Sequence, residues 1–152
     1  MRLRRLVALG LFVAFGSLAA GPTEQDKKWK KVRIDDDISF AMPEEPQATE
    51  KEQEELGIKL KLKIWAYETP DRKGVYMVAA NKLPVAPTAD QVADVLEGAA
   101  KGQFQGMGGT LVKSKEIKLG KNPGLESDGT VPIVTNGTAK SRIFVVGNSM
   151  YQ

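Results

Sequence analysis

The chain has 152 residues, 41% hydrophobic and 27% charged, with 15 glycines, 8 prolines and a formal net charge of +3. That length matches one globular domain, large enough to bury a sizeable core. With neither His nor Cys, it lacks the commonest general base, thiol nucleophiles, disulfides and the usual zinc ligands.

Arg2, Arg4 and Arg5 precede an uncharged run over 6–20 that closes on the small residues Ser17, Ala19 and Ala20. This is the layout of a secretory signal peptide. Ser17 and Ala19 put small side chains at the two positions a signal peptidase reads, so cleavage is expected after Ala19, with Ala20 the alternative. The chain then divides into a signal peptide over 1–19, a polar lead over 20–28 and one domain over 29–152. The competing reading keeps the segment as an uncleaved anchor, although it is shorter than the ~20 apolar residues of a spanning helix. No Cys lies near Ala20, which excludes a bacterial lipoprotein. Without the three arginines of the signal, the basic residues equal the 19 acidic ones. The apparent basicity thus belongs to export and gives no ground for a nucleic-acid partner.

Residues 29–34 and 38–42 are short apolar-bearing runs joined by Asp35, Asp36 and Asp37, residues whose side chains bond nearby backbone donors, and they predict a hairpin. The stretch 43–55, with two prolines and six glutamates, predicts a solvated loop. Strict alternation follows. Leu56, Ile58, Leu60, Leu62, Ile64 and Ala66 share one face, and Lys59, Lys61, Lys63, Trp65 and Tyr67 the other, the period of a half-buried strand. Turn residues over 69–74 lead into a returning strand at 75–82, which Pro84 and Pro87 end.

A helix is predicted over 88–101. Thr88 and Gln91 match a capping box, and Val92, Val95, Leu96 and Ala99 share a face. Gly102, Gly106, Gly108 and Gly109 predict its end and a flexible connector. Strands are expected at 110–119, 125–135, 138–146 and 149–152, with an Asn136-Gly137 turn. Met150, Tyr151 and Gln152 read as the start of an apolar strand, so a chain truncated at its C-terminus is expected. The order is α+β: an antiparallel sheet of about six to eight strands with one main helix packed on it.

The cues over 38–46 (Ile-Ser-Phe-Ala-Met-Pro-Glu-Glu-Pro), 76–79 (Tyr-Met-Val-Ala), the helix opened by Thr88, 120–126 (Gly-Lys-Asn-Pro-Gly-Leu-Glu) and 142–152 together resemble small exported bacterial proteins. These are similar to the PsbP-like family, whose fold is that of the extrinsic oxygen-evolving subunit of photosystem II, and the resemblance runs from about Trp29 to the end. It implies a non-catalytic accessory or binding domain. It also implies that the strand begun at Tyr151 would continue into a C-terminal helix on the sheet, both missing from this chain. No residues of a photosystem docking site can be matched.

Five groups of residues invite chemistry. Asp35, Asp36 and Asp37 offer oxygen ligands to Ca²⁺, but the spaced acids and glycine of a calcium loop are missing, and an acidic turn is the better reading. Glu44, Glu45, Glu50, Glu52, Glu54 and Glu55 lack the apolar neighbours that raise a catalytic acid. The four glycines follow a helix instead of opening one, so they cradle no phosphate. Ser127 sits in a G-x-x-S-x-G spacing, one residue too long for a nucleophile elbow, and only a Ser-Lys pair through Ser114 or Ser141 stays open. Lys59, Lys61 and Lys63 stand about 7 Å apart on one strand face with Trp65 and Tyr67 beyond them. They form the candidate interaction surface, against the plainer reading of a solvated or edge face.

The expected protein is therefore an exported, monomeric, non-enzymatic binding or assembly domain of the periplasm or cell envelope, without metal or cofactor. Its expected partner is a protein or an anionic envelope component, with membrane contact only through the export signal. An anchored interaction module, and a hydrolase using carboxylates or a Ser-Lys pair, are the alternatives.

Overall fold

The computed structural model describes residues 29–35, 38–55, 58–132 and 137–152, with the backbone alone at 53–55 and 58–60. The predicted signal peptide, the polar lead, Leu56, Asp36, Asp37 and Asn136 lie outside the described residues. In chain order the elements are β1 (Lys30–Arg33), β2 (Ser39–Met42), β3 (Gln47–Glu55), β4 (Ile58–Glu68), β5 (Val75–Lys82), α1 (Val92–Gly106), β6 (Thr110–Leu119), β7 (Asn122–Val131), β8 (Gly137–Val146) and β9 (Ser149–Tyr151).

The fold is α+β, as the alternation and the single helix signature require. β1 and β2 form a small two-stranded sheet; the other strands make one antiparallel sheet in the order β3-β4-β5-β9-β8-β7-β6. Two meanders are therefore joined at a seam. β3, β4 and β5 follow one another, α1 crosses, and β6 to β9 wind back until β9 pairs with β5. The seam matches Ala80 with Tyr151, Asn81 with Met150 and Lys82 with Ser149. Reciprocal bonds of 2.8 Å between Ala79 and Gln152, and the Leu83 N–H donating to the Asn148 carbonyl at 2.7 Å, extend it at both ends. Gly147, at φ +59°, makes the turn that feeds β9 into place.

Alternation along each strand assigns the two sheet faces. On one, Leu125, Ile143, Val145 and Met150 pack with Leu96 and Ala100 of α1, flanked by Val92, Val95 and Ala99. Leu62, Ile64 and Ala79 form a second buried cluster with Met77. On the opposite face the β1–β2 hairpin covers β4 and β5. Phe40 meets Trp65 edge-on at 5.9 Å, and Trp29 meets Tyr76 at 5.5 Å. Asp35 fastens this hairpin. Its Oδ1 accepts from the Ile38 N–H at 2.9 Å and its Oδ2 from the Tyr151 hydroxyl at 2.5 Å.

Two expectations are corrected. The stretch predicted as a solvated loop contains β3, a nine-residue strand along β4. It lacks an apolar face because it is a sheet edge, and it is held by backbone pairing and by glutamates opposite lysines. The helix begins later and runs further than predicted. Of the capping box, the Thr88 N–H donates to Gln91 Oε1 at 3.1 Å, while Gln91 is the N-cap residue and makes no side-chain cap bond. Beyond Lys101 the helix continues through Gly102 to Gly106, because Phe104 is fully buried and repays two helical glycines. A Cβ at Gly129 would stand 2.3 Å from Phe104 Cε1 and 2.5 Å from the Thr110 carbonyl oxygen, so only glycine lets that ring reach the sheet.

Urea denaturation should show Phe104→Ala destabilised by about 3–5 kcal/mol and Gly129→Ala by about 1–3 kcal/mol. Wild-type stability in Gly129→Ala would contradict the ring-on-glycine contact.

Candidate functional site

The predicted lysine and aromatic stripe divides into two parts. Lys63 Nζ lies 3.0 Å from Glu50 Oε1 and Lys61 Nζ 3.9 Å from Glu52 Oε1, both across the β3–β4 pairing. Trp65 packs under Phe40, and Tyr67 stacks on Tyr76 at 6.2 Å. The side chain of Lys59 is outside the described residues. The lysine heads thus face acids on a neighbouring strand, and the rings belong to the small core beneath the hairpin.

Both carboxylate oxygens of Asp35 accept hydrogen bonds, and among the described residues no group of three or more acids is arranged to hold a metal ion. Glu44 pairs with Lys30 at 2.9 Å, and the hydrogen bond from Lys30 to that carboxylate raises the lysine's pKa. Ser114, Ser127 and Ser141 form a row across β6, β7 and β8. Lys113, Lys115 and Lys140 alternate with them and so project from the opposite face, where they pair with Glu126 and Asp128. The geometry of a Ser-Lys pair is not formed there.

That opposite face carries a lattice of charge. Asp128 is 3.4 Å from Lys113 and 3.5 Å from Lys140. Glu126 is 3.6 Å from Lys115, 3.8 Å from Lys140 and 2.7 Å from Arg142. Its side chain is only 13% exposed, beneath cations that stand out into water. The hydrogen bond donated by Arg142, with the nearby positive charges of Lys140 and Lys115, holds the Glu126 carboxyl below its ordinary range.

Sequence inspection missed a groove of about 750 Å³ between α1 and β6. One wall is Ala89, Val92, Ala93, Leu96 and Glu97, which recur at helical spacing. The other is the unbroken run 114–118 of β6, with Pro123, Gly124 and Leu125 of β7 closing the end. Consecutive strand residues point to opposite faces, so five in a row can line one groove only where it reaches the strand's backbone. Ala93 is exposed, Ile117 half-buried and Leu125 buried. The groove therefore offers an apolar floor of Leu96 and Leu125 beside the edge strand β6, with Glu116 and Lys118 at its rim. Such a surface takes up an extended segment with apolar side chains better than it aligns acid, base and nucleophile. The apolar face of α1 was legible in the spacing of Val92 and Leu96. That β6 would be the strand beside it depends on sheet order, for which the local sequence holds no signal.

No family model, curated protein or solved structure matches this chain.

The lowered carboxyl of Glu126 has a defined pH consequence. Because its folded-state pKa lies below the ordinary 4.5, its contribution is fully present above that value and is lost as the pH falls through the folded one. Glu126→Gln should melt below wild type at neutral pH, and the gap should close on acidification below 4.5. A gap in melting temperature that stays constant across this range would show that the ion pairs contribute nothing.

Proposed function

We propose that this chain is a non-enzymatic binding or assembly domain of PsbP-like fold, exported to the periplasm or cell envelope, and that it engages its partner through the groove between α1 and β6. The observation that carries this reading is the groove itself: an apolar floor of Leu96 and Leu125 open beside an exposed edge strand. Burying a protruding apolar side chain there is worth roughly 1.5–3 kcal/mol for a residue the size of Val or Leu, enough for a contact to depend on it. The PsbP-like resemblance rests on the cues over 38–46, 76–79, 120–126 and 142–152. Export rests on Arg2, Arg4 and Arg5 followed by the uncharged run 6–20. Among the described residues no helix is long and apolar enough to cross a membrane.

Two measurements test the reading. The intact mass of the exported protein should correspond to a chain beginning at Ala20, and a mass that retains Met1 would favour the anchored alternative. In pull-downs from the native envelope fraction, Ala93→Arg should fill the groove and reduce capture of specific partners at least tenfold, corresponding to about 1.4 kcal/mol, whereas Lys61→Glu should leave capture unchanged. Equal capture by Ala93→Arg and wild type would remove the groove from the function.

A further inference from the structure

β3 and β6 are the two edges of the seven-stranded sheet, each hydrogen-bonded to one neighbour. They are nine and ten residues long, and a free edge of that length is a template for another strand unless it is covered or guarded by charge. Here the guarding charges are opposite. β3 reads QATEKEQEE, predominantly acidic, and β6 reads TLVKSKEIKL, predominantly basic.

The charges also follow the sheet's own order. On the face that carries Trp65 and Tyr151, sign alternates from strand to strand: Lys63 to Glu50 and Lys61 to Glu52 at one side, Lys140 to Asp128 to Lys113 and Arg142 to Glu126 to Lys115 at the other. The rows end in acids at β3 and in cations at β6. All four terminal side chains stand largely in water, at 72% and 67% exposure for Glu50 and Glu52 and 73% and 71% for Lys113 and Lys115. The next position outward from β6 therefore calls for two acids, two residues apart on this face, and β3 presents Glu50 and Glu52 in that spacing.

From this we infer that the occupant of the β6 edge is β3 of a second copy of this chain, which continues the sheet from one molecule to the next. The geometry specifies the pairing. Every neighbouring pair in the sheet is antiparallel, so β3 and β6 run in the same direction. Keeping the charged faces on one side makes the new pairing parallel. In the register that sets Lys113 opposite Glu50, Lys115 meets Glu52 and Lys118 meets Glu55, while Ser114 meets Lys51 and Glu116 meets Gln53. No like charges oppose one another. An antiparallel pairing would turn one copy over and bring Lys113 and Lys115 beside Thr49 and Lys51, losing the match. Since one edge meets the other and not itself, the contact is heterologous and propagates as an open row. It shares residues 114–118 with the proposed groove but uses their outer backbone edge and the charged face, whereas the groove's apolar floor lies on the helix side.

Sedimentation velocity of the exported protein tests this directly. At low ionic strength the sedimentation coefficient of wild type should rise with concentration, and the rise should vanish near 1 M salt, where the screening length is about 3 Å. Lys113→Glu/Lys115→Glu and Glu50→Lys/Glu52→Lys should each sediment alone as a monomer with wild-type circular dichroism. Mixed, they should associate as a row of alternating variants, because the two intact edges match each other and the two reversed edges match with the signs exchanged. Ala93→Arg should associate as wild type does, so failure of the groove and failure of the edge contact are separable. Wild type that remains monomeric at every concentration in low salt overturns the proposal whether or not the variants fold. So does association that persists in 1 M salt, or folded variants that do not combine.

Discussion

The three residues of β9 hold this molecule together. The two meanders on either side of α1 form one sheet only because β9 enters between β5 and β8, and its successive side chains serve opposite layers. Met150 points into the core under α1, and Tyr151 faces the hairpin, where its hydroxyl bonds Asp35. Gln152 closes the ladder with Ala79 through two backbone bonds. A strand this short carries little pairing energy of its own; its position is enforced by burial on both faces, Met150 at 4% and Tyr151 at 8% exposure.

Covering the two faces with different elements has consequences for function. α1 lies over β6, β7 and β8, whereas the β1–β2 hairpin lies over β4 and β5. The half of each face that its own cover does not reach is left for other uses. On the helix side the groove opens where α1 meets β6. On the hairpin side the uncovered half holds the charge lattice of β6, β7 and β8, with carboxylates set low and cations standing out. The groove and the charge lattice therefore both lie at β6, the strand furthest from the seam, while the aromatic stripe that stands out in the sequence is consumed by packing.

Most strands were legible because half-burial imposes a period of two. β4 and β5 show it through Leu62, Ile64 and Ala79, and the helix showed its face through Val92, Val95, Leu96 and Ala99. β3 was not legible for the converse reason. Both its faces meet water, so no apolar alternation exists, and the only trace of the strand is acids at alternate positions across from Lys61 and Lys63. The extension of α1 through Gly102 and Gly106 was hidden because local propensity opposes it; a contact with Gly129, on a strand distant in sequence, decides it.

The chain by itself determined the α+β class, the three arginines ahead of an uncharged N-terminal run, the near balance of charge outside that segment and the face assignment of the half-buried strands, since these depend on composition and on neighbours a few residues apart. Tertiary structure alone decided which strands became edges, what covered Trp65 and Tyr67, and where a groove opened. Those outcomes depend on the closing of β5 against β9 and on two layers choosing opposite faces, which are contacts between segments some seventy residues apart that no local pattern encodes.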